Sequence, residues 1–416
     1  PTVAIDNGGL VRRFGPQAET KLEYASEALH TLDYDAVGLG FGELRLPAAS
    51  LLVAVGDRET TPFLSANVGL FGLDADMTPK FQIVEQAGLR IGVTSILGDA
   101  YREQLQNADV ETIPAADALA EVVPALDADA DVLVLLSHAP REESIALARA
   151  FPQFDVVVTA GGAEEPPPEP EWIDDGDTDE DDASARRGTM LIEVGHKGMY
   201  AAVVGFYDDE QTPTRYQRVT LDARYQETPE MHQMMVDYQA ALEVQGLARL
   251  VGAPRRHPQS DELGDLRGTF VGSKRCGECH TLAYEIWSKT GHAHATQSLV
   301  EANPPRQFDP ECLSCHATGW HPQEFTPYAT GDVDQQTTPL LVGNACENCH
   351  GPGAAHVAAE TERPVDLARR TEWRDVMKLS GTNVEENVCL QCHDLDNSPS
   401  IKYDVYWPKI RHRGTQ

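Results

Sequence analysis

The stretch Cys346-Glu-Asn-Cys349-His350 decides the fold of the last third of this 416-residue chain, because it is one of four copies of a single pattern. The other copies are Cys276-Gly-Glu-Cys279-His280, Cys312-Leu-Ser-Cys315-His316 and Cys389-Leu-Gln-Cys392-His393. All eight cysteines of the chain lie in these copies. C-x-x-C-H is the attachment pattern of c-type haem, in which two thiols add to the vinyl groups and the histidine binds iron from the proximal side. The sequence therefore predicts four covalently bound haems c.

Three other uses of cysteine explain the pattern less completely. A disulfide framework has no need for a histidine after every second cysteine. Zinc sites close at four ligands, so four copies would leave four histidines without a role. Thioredoxin-like redox pairs occur singly, after a strand. Because haem thioethers form outside the cytoplasmic membrane, we predict a periplasmic or extracellular, secreted protein, and we interpret Pro1 as the start of a mature form without its signal peptide.

Five further histidines in the same region are candidates for the distal iron ligand: His292, His294, His321, His356 and His412. Met377 is the one methionine there that competes with them, so we predict bis-histidine ligation and low reduction potentials. The first cysteines of successive motifs are 36, 34 and 43 residues apart, which is too little chain for a conventional core around each haem. We expect short helices and irregular segments around closely packed haems that exchange electrons.

Residues beside the motifs resemble the cytochrome c-554 family of tetrahaem electron carriers. The stretches that carry this resemblance are Phe270–Cys276, Trp287–His294, Cys346–His356 and Tyr406–His412. The resemblance implies that His356 is the distal ligand of the first haem, His292 that of the third and His412 that of the fourth. In that family the second iron has an open position. Here we expect His294 or His321 to close it, which would remove a site for small-molecule chemistry.

The first 250 residues alternate short β-branched runs with helical stretches, which is typical of a layered α/β domain. The predicted strands are Thr2–Ile5, Ala36–Leu39, Leu89–Thr94, Asp131–Leu136, Asp155–Thr159, Met190–Val194 and Ala201–Phe206. The predicted helices include Thr20–Leu32, Arg141–Phe151 and Glu230–Val244. We therefore divide the chain into an α/β domain at 1–248, a linker at 249–270 and a tetrahaem cytochrome c domain at 271–416.

Three stretches of the α/β part resemble the metallophosphoesterase domain of 5′-nucleotidases: Ala28–Gly40, Phe63–Asn67 and Leu136–His138. That family binds two metal ions through Asp, Asn and His. Here the corresponding positions have changed: Gly9 replaces a bridging Asp, Phe41-Gly42 replaces Asn-His, and 160–163 reads Ala-Gly-Gly-Ala where a Gly-His-x-His signature is expected. The resemblance thus implies a metallophosphoesterase-like fold that keeps His138 alone among its metal ligands and has lost its catalysis.

Acidic residues dominate the charge, with 66 Asp and Glu against 33 Lys and Arg, a net charge of −33. Such a surface excludes nucleic acid and anionic membranes as natural partners, and no apolar run has the length of a membrane span.

The acidic segment Glu164–Asp182 reads as a solvated insertion. The alternation of Asp175, Asp177 and Asp179 fits a calcium loop, but the glycine at the sixth position and the terminal Glu are missing, so Ca²⁺ is the weaker interpretation.

These features predict an electron carrier rather than an enzyme. Its partners would be redox proteins, or further copies of the chain stacked through exposed haems into an extracellular conducting filament. The alternative is a haem enzyme that acts on a small nitrogen or sulfur oxide at an open iron position.

Overall fold

A computed structural model describes residues 1–75, 77–173, 188–209, 213–263, 265–379, 384–394, 397–398 and 400–412. Contacts divide the chain into two compact units, Pro1–Met231 and His232–Gln416. Each unit has its own core. Across the described ranges, no helix combines the length and the apolar character needed to cross a lipid bilayer.

A six-stranded sheet forms the centre of the first unit. Its order is β10-β11-β9-β8-β6-β5, with parallel pairing from β11 to β6 and an antiparallel strand at each edge. The strands are β5 Phe81–Gln86, β6 Leu89–Leu97, β8 Val132–His138, β9 Val156–Thr159, β10 Glu171–Ile173 and β11 Thr189–Glu193. β8 is buried along nearly its whole length, as expected of a central parallel strand with both faces covered.

Smaller strand groups complete this unit. A parallel three-stranded sheet contains β1 Ile5–Asp6, β2 Ala36–Gly38 and β3 Phe63–Leu64. Two antiparallel pairs join β4 Val68–Leu70 to β7 Val110–Thr112, and β12 Tyr200–Phe206 to β13 Thr214–Thr220. The helices are α1 Pro16–Thr31, α2 Phe41–Leu44, α3 Ala48–Val55, α4 Asp99–Arg102, α5 Ala115–Asp129 and α6 Arg141–Ala150.

Apolar helix faces cover the central sheet. Leu119, Val122 and Leu126 of α5 lie in one cluster with Leu133 and Leu135 of β8, and all five are buried. Burial of that many large aliphatic side chains stabilises this layer by roughly 1.5–3 kcal/mol for each of them. The layered α/β fold predicted from the alternation of strands and helices is therefore confirmed.

Short helices and loops make up the second unit. After α7 Pro229–Gln245, its elements are α8 Leu247–Val251, α9 Ser273–Gly277, α10 Thr281–Trp287, α11 Ala295–Val300, α12 Pro310–His316, β14 Trp320–His321, β15 Thr326–Pro327, α13 Cys346–His350, α14 Ala354–Thr361, α15 Leu367–Val376, α16 Val384–Asn387 and α17 Tyr403–Ile410. Its clusters of buried apolar side chains are small, for example Ala355, Ala359 and Trp373. The mostly helical and irregular fold predicted for this part is confirmed.

The segment that we expected to be a linker is packed into the second unit. Val251 of this segment, and Leu247 just before it, pack against a cluster of buried residues that includes Leu299 and Trp320. The backbone N–H of Arg255 donates to the carbonyl of Pro327 at 2.9 Å. The first compact unit ends at Met231 and the second begins at His232, so these contacts lie within the second unit.

Candidate haem centres

Each cysteine pair lies on or beside a short helical turn. α12 contains Cys312, Cys315 and His316, and α13 runs over the whole of the motif that begins at Cys346. α9 ends just after Cys276, and a 3₁₀ turn begins at Cys389. Residues three positions apart share one face of such a turn, so both thiols of a pair are directed to the same side. All eight cysteines are free thiols, as haem attachment requires.

Three pairs of histidine rings face each other across this unit. His280 and His356 have ring centroids 6.3 Å apart with 23° between their planes. The centroids of His350 and His412 are 5.9 Å apart at 47°, and those of His292 and His393 are 5.9 Å apart at 44°. Two imidazole–metal bonds of about 2 Å each, with the distance from each nitrogen to its ring centre, give a spacing of about 6 Å. Each pair could therefore hold one iron between two imidazoles.

Two of the pairs differ from those that the resemblance implied. His356 faces the proximal histidine of the first motif, as expected. However, His412 faces His350 of the third motif, and His292 faces His393 of the fourth. The structure thus brings His412 to the third motif and His292 to the fourth. His412 follows α17 and reaches the third motif from there. His292 lies in a separate element, the 3₁₀ turn Gly291–His294.

His316 of the second motif has a different environment. Its Nδ1 lies 2.9 Å from the carbonyl oxygen of Ala295 and 3.3 Å from Ser298 Oγ. Within the residues that the structure describes, no histidine ring faces its ring in the manner of the other three pairs. His294 is exposed. The ring of His321 lies 6.2 Å from that of Tyr328, and its Nε2 lies 3.6 Å from Glu324 Oε1. The structure thus does not bring His294 or His321 opposite His316.

Hydrogen bonds at Nδ1 orient several of these imidazoles. His350 donates from Nδ1 to the carbonyl of Met377 at 2.7 Å, and His412 donates to that of Ile410 at 2.9 Å. His393 Nδ1 lies 2.9 Å from Ser398 Oγ. When Nδ1 carries the proton, the lone pair is on Nε2, where a metal can bind.

Burial favours the neutral form, which is the form that binds metal, in four of the candidate ligand histidines. It lowers the pKa of His292, His350, His356 and His393, because a charged imidazolium loses its hydration there.

Neighbouring motifs come together through their thiols. A hydrogen bond to Cys346 raises the pKa of Cys276 and lowers that of Cys346 to about 7. A hydrogen bond to Cys315 raises the pKa of Cys392. Burial raises the pKa of Cys349 to about 12, with a smaller contribution from nearby Cys389. The first motif therefore lies beside the third, the third beside the fourth, and the fourth beside the second.

At the edge of the α/β unit that contains Gly9 and His138, side chains contact the backbone. Glu43 is fully buried, and its Oε1 accepts the backbone N–H groups of Gly9 at 2.8 Å and Gly40 at 2.7 Å. His138 Nδ1 lies 3.2 Å from the carbonyl oxygen of Asn7. A Cβ atom on Gly9, which has a φ of +80°, would lie 3.0 Å from His138 Cε1. A side chain at position 9 would therefore be strained by the backbone conformation and would meet the ring of His138.

Two titratable groups at this edge are shifted by burial. Burial raises the pKa of Asp6 to about 6 and lowers the pKa of His138. In the described part of the chain, no three His, Cys, Asp or Glu side chains are grouped so that they could hold a metal ion. Asp175, Asp177 and Asp179 of the weaker calcium interpretation lie outside the described residues.

Residues 275–351 match the family model described as cytochrome c554 and c-prime. Cytochrome c-554 of Nitrosomonas europaea is 33% identical over 162 residues, which cover 34% of this chain and 66% of that protein. The C-terminal part of the chain resembles cytochrome c-554. This likeness confirms the resemblance seen around the motifs. The matched segment is slightly shorter than two thirds of that relative.

Solved structures of another kind are similar in fold. Sulfate thiohydrolase SoxB of Thermus thermophilus has a TM-score of 0.45 at 16% identity, covering 59% of this chain and 44% of that one. A 5′-nucleotidase precursor, also of Thermus thermophilus, has a TM-score of 0.45 at 17% identity, covering 66% of this chain and 54% of that one. The chain thus spans about half the length of these structures.

Two features of the haem-motif unit gave no signal in sequence reasoning. One is the buried carboxylate of Glu347, which occupies a variable position of the third motif. The other is Ser398, whose hydroxyl meets the proximal histidine of the fourth motif.

Proposed function

We propose that this chain is an extracytoplasmic electron carrier with four covalently bound haems c. The cysteine pairs would attach them, and His280, His316, His350 and His393 would be the proximal ligands. The observation that carries the proposal is the set of three facing histidine pairs at 5.9–6.3 Å. These pairs support His356, His412 and His292 as the distal ligands of the first, third and fourth haem.

A haem at each site supplies a reversible Fe(III)/Fe(II) couple. The chain would contribute the iron ligands, the exclusion of water and the short distances between haems. Two imidazoles at each of the first, third and fourth irons would keep the coordination unchanged between oxidation states. The thiol contacts support a linear order of first, third, fourth and second haem. Cys279 of the first motif is exposed, which supports an exchange point for redox partners at that end.

The test is spectroscopic. Purified holoprotein should show low-spin c-type spectra in both oxidation states, and three low-spin ferric signals should be resolved by electron paramagnetic resonance. A purified chain whose haems do not accept and return electrons reversibly would refute the proposal.

A second candidate function follows from His316. Because no histidine ring in the described residues faces it, the second iron would have an open position for a small nitrogen or sulfur oxide. Binding of one equivalent of nitric oxide or carbon monoxide per chain is the result expected for this function. Absence of binding, with no high-spin signal, would exclude it.

We further propose that the α/β unit has lost phosphoesterase activity, since Gly9 and Gly42 bring no side chain to the metal positions. Hydrolysis of a nucleotide that depends on an added divalent metal ion would contradict this. We also propose that copies of the chain associate into a filament through the first haem, because Cys279 of its motif is exposed. Sedimentation and electron microscopy of concentrated holoprotein decide it, because a persistent monomer would refute the filament.

A further inference from the structure

The segment Gly343–Asn348, which leads into the third motif, contacts the segments that carry the first and second motifs and the turn that contains His292. Asn344 Nδ2 donates to the carbonyl of Cys315 at 3.0 Å, and its backbone N–H donates to that of His292 at 2.9 Å. Asn348 Nδ2 donates to the carbonyl of Ala317 at 3.0 Å. The segment is therefore connected to the second motif and to the turn that holds the distal ligand of the fourth.

Glu347 makes the connection to the first motif. Its side chain is 2% exposed and accepts only backbone N–H groups. Val271 donates to both carboxylate oxygens at 3.0 and 3.1 Å, Gly272 donates to Oε2 at 2.7 Å, and Gly353 donates to Oε1 at 2.7 Å. Several N–H donors of this kind are what a buried carboxylate needs in place of water.

These donors belong to the two segments that carry the axial histidines of the first haem. Gly272 directly precedes α9, which ends at the first motif and leads to His280. Gly353 directly precedes α14, on which His356 lies. Ser273 Oγ also accepts the backbone N–H of Cys346 at 3.1 Å. One carboxylate from the third motif thus joins both sides of the first iron site.

We propose that Glu347 is a positioning residue that holds His280 and His356 on opposite sides of the first iron and keeps that site beside the third motif. This inference rests on the proposed haem ligation. A glutamine cannot replace the carboxylate, because its amide group has one acceptor oxygen and presents N–H donors to a backbone that also donates.

The test compares Glu347→Gln with the unchanged holoprotein after the haem content of both has been measured by intact mass. The imidazole planes of His280 and His356 are 23° apart, against 44° and 47° for the other pairs. Because the low-spin ferric signal depends on this angle, the first haem has a signal of its own. We expect Glu347→Gln to lose that signal, to keep the other two and to bind one more equivalent of carbon monoxide per chain when reduced.

Two further variants separate positioning from general destabilisation and from loss of charge. Glu372→Gln removes an exposed carboxylate of the same unit and should leave all signals unchanged. Gly353→Ala keeps the Glu347 charge, but its Cβ would lie 3.2 Å from Glu347 Oε1 and should weaken the same signal partially. If Glu347→Gln fails to fold, Gly353→Ala still tests whether the Glu347 contacts position the ligands of the first haem.

Retention of the first-haem signal in both Glu347→Gln and Gly353→Ala, or equal loss of all three signals in them, would overturn the inference while leaving the proposed function intact. Failure of the proposed function would be visible earlier, as an unchanged holoprotein without three low-spin signals.

Discussion

Replacement of His356 by alanine tests the ligation of the first haem directly. His356 faces His280 with a ring distance of 6.3 Å, and its Nδ1 is buried without a hydrogen-bond partner in the described residues. The fold therefore loses no hydrogen bond at Nδ1, and alanine is a good helix former on α14. We expect the variant to fold and to attach four haems, with the first iron left five-coordinate.

The expected number of carbon monoxide equivalents per chain follows from the number of facing histidine pairs. With three pairs and one unpaired proximal histidine, the reduced protein should bind one equivalent of carbon monoxide per chain. His356→Ala should bind two equivalents, and it should lose the low-spin ferric signal of the near-parallel pair. Loss of an imidazole ligand should also raise the reduction potential of that haem, because imidazole stabilises ferric iron.

The assay is a carbon monoxide titration of the reduced protein, normalised to haem content, together with electron paramagnetic resonance of the oxidised protein. His294→Ala is the matched control, because that side chain is exposed and should leave the stoichiometry at one. An unchanged stoichiometry in His356→Ala, or survival of the near-parallel signal, would refute the assignment. A rise in His294→Ala would show that His294 closes the second site.

Four other variants test separate parts of the account. His412→Ala should open the third haem and His292→Ala the fourth, as followed by haem-resolved nuclear magnetic resonance; the reverse result would restore the pairing that the family resemblance implied. The pKa of Asp6 is raised to about 6 in the folded chain, so folding favours the protonated carboxyl group. The contribution of Asp6 to stability is therefore fully present below about pH 4 and is lost as the pH rises through 6. Asp6→Asn should therefore increase the free energy of unfolding at pH 7 by about 1 to 3 kcal/mol in denaturant titrations, and an unchanged or lower value would contradict this. Trp373→Ala should lower the free energy of unfolding of the haem-motif unit by about 3–5 kcal/mol, since Trp373 packs on Ala355 and Ala359; a loss below about 1 kcal/mol would show that this cluster is not a core.

Sequence patterns predicted the features that depend on local spacing. The repeated motif identified the cysteines and proximal histidines as a set, and β-branched runs located central strands such as Val132–His138. α5 Ala115–Asp129 was not among the helices named from the sequence, and Pro124 lies inside it. The folded structure tolerates this proline because the apolar face of the helix is buried against the sheet.

The remaining features depend on three-dimensional arrangement. Which distal histidine meets which motif depends on where α17 and the turn around His292 lie, and residue spacing does not contain that information. The role of Glu347 has the same origin, because its donors are 75 and 76 residues away towards the N-terminus. The linker prediction was based on prolines and mixed charge, but Leu247 and Val251 are packed against an apolar cluster.

The intact mass of the mature protein tests the central claim most directly. Our account predicts a mass that exceeds that of the polypeptide by four haem groups, retained under denaturing conditions because the bonds are covalent. A mass equal to that of the bare chain would contradict the account, and so would haem that separates from the chain on denaturation.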